Sequence, residues 1–241
     1  MKFKEFILKV KDKVLDMIFP SDIKCIFCGK DIPDENIHYC EVCGNEKIFN
    51  DGNKCIKCDT KIKKGNIICD NCKDYTRPFE KAICPLNYIG NVRKTIIQFK
   101  SDNAKYLTKP LTKFIYDKIL QEKIEFDIIV PVPSHKQTIK KRGYNPACLL
   151  AYELSSLTSK PVEEVLVKNV LTPKQKDLTF LERQTNLENS MCLTDKNLIK
   201  GKTILIIDDI ITTCATVNAC ANLLYGANKI YACAIARRHL S

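Results

Sequence analysis

Two carboxylates stand side by side at Asp208 and Asp209. They follow the apolar or β-branched run Thr203 to Ile207 and precede a small hydroxyl-rich loop, Thr212-Thr213-Cys214-Ala215-Thr216. The run reads as a strand buried on both faces, as in a parallel sheet. A helical pattern begins after the loop, with Val217, Cys220 and Leu224 on one face, and stops near Gly226. In open α/β sheets, ligands bind at the carboxyl ends of strands, beside helix N-termini. Free backbone N–H groups and the helix dipole suit a phosphate there. Carboxylates repel phosphate, so the acidic pair is assigned to sugar hydroxyls or a metal ion. Phosphate and diol together specify a phosphorylated sugar.

A second set of chemical groups lies upstream. Four C-x-x-C pairs, Cys25/Cys28, Cys40/Cys43, Cys55/Cys58 and Cys69/Cys72, start 15, 15 and 14 residues apart, which makes an internal repeat. Each pair forms a knuckle that points both sulfurs at one ion. Two knuckles complete a tetrahedral four-cysteine zinc site of the closed, structural kind. Eight cysteines therefore predict two zinc ions, with sequential and interleaved pairing both open. Gly29 and Gly44 follow the first two knuckles, where a left-handed turn is expected. Large apolar residues are few here, so the module needs metal to fold. No coordination position is left open for metal catalysis, and His38 between the knuckles reads as a surface residue. The other cysteines, Cys84, Cys148, Cys192, Cys214, Cys220 and Cys233, share no spacing and read mostly as small core residues; Cys214 is the one candidate functional thiol.

Lysines at 2, 4, 9, 11 and 13 interrupt any signal-peptide core, and no run is long enough to span a membrane. The expected setting is cytoplasmic, with reduced thiols that bind metal. The 241 residues are 45% hydrophobic, enough for a proper core. The formal charge is +11; eight thiolates (−8) and two Zn²⁺ (+4) lower it to +7. The chain stays basic, which suits phosphorylated small molecules or nucleic acid.

Three domains are expected: an amphipathic helix over 1–20, a double four-cysteine zinc module over 21–78, and an α/β domain over 79–241. The helix carries Phe3, Phe6, Ile7, Val10, Val14, Leu15 and Ile18 on one face, ends at Pro20, and is read as packing on its own domain in preference to a membrane surface. Arg77-Pro78-Phe79 marks a boundary. Strands are expected at Leu86 to Ile89, Phe126 to Val130, Val162 to Val167 and Lys229 to Ala236. Asn91 to Leu111 reads as a helix kinked around Lys100 to Asn103 and ended near Pro110, with Leu111 to Gln121 helical after it. Pro131-Val132-Pro133 leads into a basic loop, Ser134 to Gly143, at the same sheet edge as Asp208 and Asp209. Its Lys136, Lys140, Lys141 and Arg142 make a clamp for pyrophosphate or a nucleic-acid backbone. Tyr144-Asn145 opens a helix to about Ser156 that buries Leu149, Leu150, Tyr152 and Leu154. Leu171 to Ser190 is polar and aperiodic, as a lid is, with Gln175, Arg183 and Asn186 as its contacts. Alternating strands and helices imply a parallel sheet of about five strands with flanking helices and right-handed crossovers.

The stretch from Thr203 to Thr216 resembles the phosphoribosyl pyrophosphate signature of type I phosphoribosyltransferases. Cys214 stands where glycine is usual; a positive φ there would cost about 1 kcal/mol or more. The whole chain resembles the ComF family. The resemblance is carried by Phe19-Pro20, the eight knuckle cysteines, Pro131-Val132-Pro133, Arg142-Gly143-Tyr144-Asn145, Gln175-Leu178-Glu182-Arg183-Asn186 and Asp208 to Thr216. Pro146 replaces the glutamine common after R-G-[FY]-N. The resemblance implies a type I phosphoribosyltransferase domain that binds phosphoribosyl pyrophosphate with Mg²⁺. Asp208 and Asp209 would take the ribose hydroxyls, Thr212 to Thr216 the 5′-phosphate, and Lys141 and Arg142 the pyrophosphate. It also implies a link to DNA uptake in natural transformation, with single-stranded DNA and a helicase-like competence protein as partners. Some purine-type relatives place an acid, a general base, where Thr212 stands. The enzyme reading, with its acceptor unidentified, therefore sits beside an alternative. In that alternative the chain is a non-catalytic adaptor for single-stranded DNA or a partner, or a phosphosugar sensor.

Overall fold

The computed structural model describes residues 24–32, 38–101, 104–168 and 190–239. The helix expected over 1–20 and the lid contacts Gln175, Arg183 and Asn186 lie outside the described residues. The chain divides into two compact units, Met1–Glu46 and Lys47–Ser241.

The smaller unit holds the first two knuckles. Gly29 takes φ +75 after Cys28, and its N–H donates to the Cys25 carbonyl at 2.8 Å. Helix α1, Glu41–Asn45, starts at Cys40. Gly44 lies inside α1 and not in a left-handed turn; a Cβ there would meet the Tyr39 ring at 3.0 Å and press on it. The larger unit repeats this build about thirty residues on. Cys55 N–H donates to the Thr60 carbonyl as Cys25 N–H does to Lys30, and Cys69 starts α2, Asp70–Asp74, as Cys40 starts α1. In this copy Asp59 occupies the place of Gly29, at φ +60. Its buried carboxylate accepts from the Asn50 side chain at 2.9 Å and from the Cys84 N–H at 2.7 Å, and pairs with Lys54 at 2.8 Å. Three donors hold a conformation that a non-glycine residue otherwise avoids.

Cys55, Cys58, Phe79 and Cys84 share one apolar cluster with the strands of a parallel sheet. The edge strand is broken into β1, Lys81–Ile83, and β2, Leu86–Asn87, around Cys84-Pro85. Both pair with β7, Lys229–Arg237. β7 pairs with β6, Thr203–Ile211, and β6 with β3, Ile128–Pro131, all parallel. The interior strands are almost continuously buried, as a sheet covered on both faces requires. The expected parallel sheet is present.

Several boundaries differ from the sequence reading, each for a local reason. Helix α3, Gly90–Ser101, ends before residues 102–103; after a 3-10 turn, α4 runs Thr108–Gln121 with Pro110 inside it. Pro110 sits in the first turn, where no intrahelical N–H bond is lost. The basic stretch is a helix, α5, Lys136–Arg142, which the His135 side chain caps and Gly143 ends at φ +89. Helix α6, Pro146–Thr158, is capped by the Asn145 side chain, which accepts from Ala147 N–H. Tyr152 is 54% exposed instead of buried, because its hydroxyl reaches the Glu164 carboxylate. Of the strand expected at Val162 to Val167, only Val162 bridges the sheet, at Ile129. Leu166–Lys168 (β4) turns away and pairs antiparallel with β5, Met191–Leu193. No helix among the described residues is long and apolar enough to cross a membrane.

Asp59 gives the first prediction. An Asp59→Ala variant leaves Lys54 and the Cys84 N–H without their buried acceptor and keeps a Cβ at positive φ. A loss of about 3 kcal/mol is expected, read as a fall of roughly 6–12 °C in Tm. A change under about 1 kcal/mol would show that the three contacts do not hold the knuckle.

Candidate phosphosugar site and metal centres

The acidic pair lies within β6 and not after it. The strand continues to Ile211 because β7 accompanies it: Asp208 is opposite Ala234, Ile210 opposite Ala236 and Ile211 opposite Arg237. Asp208 and Asp209 therefore sit on a rigid ladder at the carboxyl end of the sheet. The Asp208 carboxylate accepts from the Asp209 N–H at 2.8 Å, and Asp209 pairs with Lys100, near the end of α3, at 2.7 Å. Burial and the Asp209 charge push the Asp208 pKa up to about 7, opposed by the positive charges of Lys100 and Lys168. Lys168, at the end of β4, is itself pushed below the usual lysine range by burial. Sequence reading misses both lysines, which come from distant segments and carry no spacing signal.

The strand then turns through Thr212, Thr213 and Cys214 into α7, Ala215–Leu223. The Thr213 hydroxyl accepts from the Ala215 N–H at 3.3 Å. Cys214 is the N-cap residue at φ +68, the left-handed conformation that explains why glycine suits this place. Its side chain is buried at 2% exposure, with the thiol 3.6 Å from the Arg237 guanidinium. Ala215 and Thr216 form the first turn of α7. Pro131 pairs with Ile207, so the segment into α5 leaves the sheet at the level of Asp208. Lys140, Lys141 and Arg142 occupy the last turn of α5, where cations suit the helix dipole. A hollow of about 240 Å³ lies beside the loop, between Thr212 and Thr213 on one side and Cys58, Cys69 and Asn71 on the other. No aromatic ring lines it among the described residues.

The cysteines form two clusters, Cys25/Cys28/Cys40/Cys43 and Cys55/Cys58/Cys69/Cys72, each with all four sulfurs within 4.8 Å of one another. Pairing is therefore sequential. The Cys28–Cys40 and Cys58–Cys69 sulfurs are 3.5 and 3.6 Å apart. A tetrahedral ion with Zn–S bonds of about 2.3 Å sets sulfurs roughly 3.8 Å apart. Both donor sets thus fit a Zn²⁺ ion, which would cross-link two knuckles and supply no open position. Of the remaining cysteines, Cys84, Cys214, Cys220 and Cys233 are buried as expected, and Cys148 and Cys192 are half-buried.

The comparison with known proteins agrees with this geometry. The family model for the phosphoribosyl transferase domain matches residues 104–239, more than half of the chain, and the chain belongs to that family. It is 27% identical to Competence protein F of Haemophilus influenzae over 225 residues, covering 90% of this chain and 97% of that protein. It is 25% identical to the DNA utilization protein YhgH of Escherichia coli K12 (77% of this chain, 83% of that one), and 25% identical to Competence protein ComFC of Bacillus subtilis (93% and 87%). Within the larger family the chain is a ComF-type member.

The site's electrostatics and backbone each give a test. Asp208 titrates near 7 in the fold and in the ordinary carboxylate range when unfolded. The folded state therefore binds the extra proton between these limits, and its stability is lost as pH rises through them. Asp208→Asn removes that penalty. Its Tm is expected above the parent's at about pH 8, with the gain closing as pH falls toward about 4; a gain independent of pH would contradict the assignment. At Cys214, Ala keeps the strained Cβ whereas Gly relieves it. Cys214→Gly is expected to exceed Cys214→Ala by about 1 kcal/mol, read by thermal unfolding. Equal stability would show that the left-handed turn carries no strain.

Proposed function

We propose that the carboxyl edge of β6 binds phosphoribosyl pyrophosphate, or a closely related phosphosugar, together with Mg²⁺. The observation that carries this reading is Asp208 and Asp209 held at the end of a paired strand, one short turn before a helix N-terminus. The pair supplies hydroxyl acceptors for a ribose diol. Thr212 to Thr216 supply hydroxyls beyond the diol site and the N–H groups at the start of α7, which suit a 5′-phosphate. The hard carboxylate oxygens fit Mg²⁺, which would neutralise charge on the pyrophosphate. Lys100, paired with Asp209, must give way or share that carboxylate when the ligand arrives. Lys141 and Arg142 are proposed to face the pyrophosphate, and Gln175, Arg183 and Asn186 to contact the ligand from the segment between β4 and β5. The names of the relatives support a role in competence and DNA uptake. A cytoplasmic setting, with single-stranded DNA or a helicase-like protein as partner, completes the proposal.

Binding is the primary claim. Thr212, at the head of the loop, cannot serve as the carboxylate base found there in some purine-type transferases, so transfer requires an acceptor that needs no such base. The hollow beside Thr212 is lined by polar side chains, which suits a small polar acceptor.

Calorimetry with phosphoribosyl pyrophosphate and Mg²⁺ tests the reading. The parent is expected to bind, and Asp208→Asn/Asp209→Asn to lose at least about tenfold in affinity, the equivalent of roughly 1.4 kcal/mol. Heat in the parent that is unchanged in the double variant would place the ligand elsewhere. Pyrophosphate release on adding amines or nucleobases would identify turnover.

A further inference from the structure

The phosphate loop and the second four-cysteine cluster lie far apart in sequence but touch in the fold. Arg77, five residues after Cys72, donates from Nε to the Cys72 sulfur at 3.3 Å and from a terminal nitrogen to the Thr213 carbonyl at 3.5 Å. Arg237, the last residue of β7, donates one terminal nitrogen to the Cys214 sulfur at 3.6 Å and the other to the Cys58 sulfur at 3.7 Å. One guanidinium spans the Cys58 and Cys214 sulfurs. Thr213 and Cys214 are thus fastened to two of the four cluster cysteines through two guanidinium groups. Cys214 is also the residue in the unfavourable left-handed conformation, so the fastening acts on the strained point of the loop.

Charge gives these contacts a direction. Arg77 is 8% exposed and Arg237 4%. Buried guanidinium ions need negative charge nearby, part of which Asp59 supplies to Arg237. A Zn²⁺ with four thiolates carries a net charge of −2, which balances the two arginines. Outer-sphere N–H donors to zinc thiolates in turn fix the ligands they touch. An empty cluster would remove the −2 charge and weaken the hold of both arginines on the Thr213 carbonyl and the Cys214 thiol.

We propose that the second four-cysteine site positions the phosphate loop, with Arg77 and Arg237 as positioning residues, so that metal at Cys55/Cys58/Cys69/Cys72 sets phosphosugar affinity. The first cluster, in the other compact unit, serves no such role. The inference takes its ligand from the binding reading above, but the loop order it predicts is measurable without any ligand.

The test uses the full chain with zinc content measured by mass spectrometry. Hydrogen exchange is followed at the amides of 212–216 in the parent, Arg77→Ala, Arg77→Lys and Cys28→Ser/Cys40→Ser, and in the parent during graded chelation. Arg77→Ala is expected to exchange roughly tenfold faster in the loop, with β6 residues 203–207 unchanged. Arg77→Lys, which keeps the charge and loses the fork, is expected to fall between. The first-cluster variant is expected to lose one zinc and leave the loop protected. Calorimetry with phosphoribosyl pyrophosphate should follow the same order. Loop protection that survives loss of Arg77, or loss of zinc from the second site, overturns the proposal; so does equal loosening by the first-cluster variant. A parent that binds no phosphosugar overturns the binding reading alone, because the exchange data still decide the coupling.

Discussion

The parallel ladder between β6 and β7 is the constraint on which the site depends. Eight register pairs run from Thr203 opposite Lys229 to Ile211 opposite Arg237. Because β7 persists to residue 237, β6 cannot end at Ile207, and the two aspartates are carried on paired backbone. A carboxylate on a ladder is placed more rigidly than one on a loop, which a site for a stereochemically defined diol requires. The same register delivers Arg237 beside the turn that follows. One pairing therefore places the acids, launches the loop and brings in one of the cations that brace it.

The acids are stressed in the unliganded state. Asp208 and Asp209 are adjacent, half-buried and like-charged, so one is held toward its protonated form while the other is paired with Lys100. The positive charge of Lys168, on β4, also acts on Asp208. Lys100 and Lys168 offset negative charge at the pair without ligand. On the proposed binding reading, a divalent cation and a diol would replace lysine contacts and would not fill an empty charge deficit. Stability given up at such a pair is the ordinary cost of a binding site.

Much of this is legible in the sequence, and the failures share a cause. The signature from Asp208 to Thr216, the parallel sheet and the eight clustered cysteines depend on short-range spacing, which a linear chain displays. The α5 segment reads as a loop in sequence because its charges obscure a helical stretch bounded by His135 and Gly143. Pro110 reads as a terminator because only its position within the first turn makes it harmless. Lys100, Lys168, Arg77 and Arg237 are unreadable as site residues for a different reason. Each acts through a contact tens of residues or more away in sequence, with Arg77 and Thr213 separated by 136 positions. The zinc repeat shows the converse: four evenly spaced knuckles leave the pairing open, and only the placement of the sulfurs chooses the sequential one.

The departure from the sugar-phosphate signature at residue 214 then gains a physical account. Glycine is usual there because the turn needs positive φ, and Cys214 adopts that φ at +68. A side chain at this point is strained, by about 1 kcal/mol, unless it makes contacts that glycine lacks. Here the thiol accepts from Arg237, which also donates to Cys58 of the second four-cysteine cluster. The thiol thus gains a partner that glycine lacks, and Arg237 joins this point of the loop to the second knuckle pair.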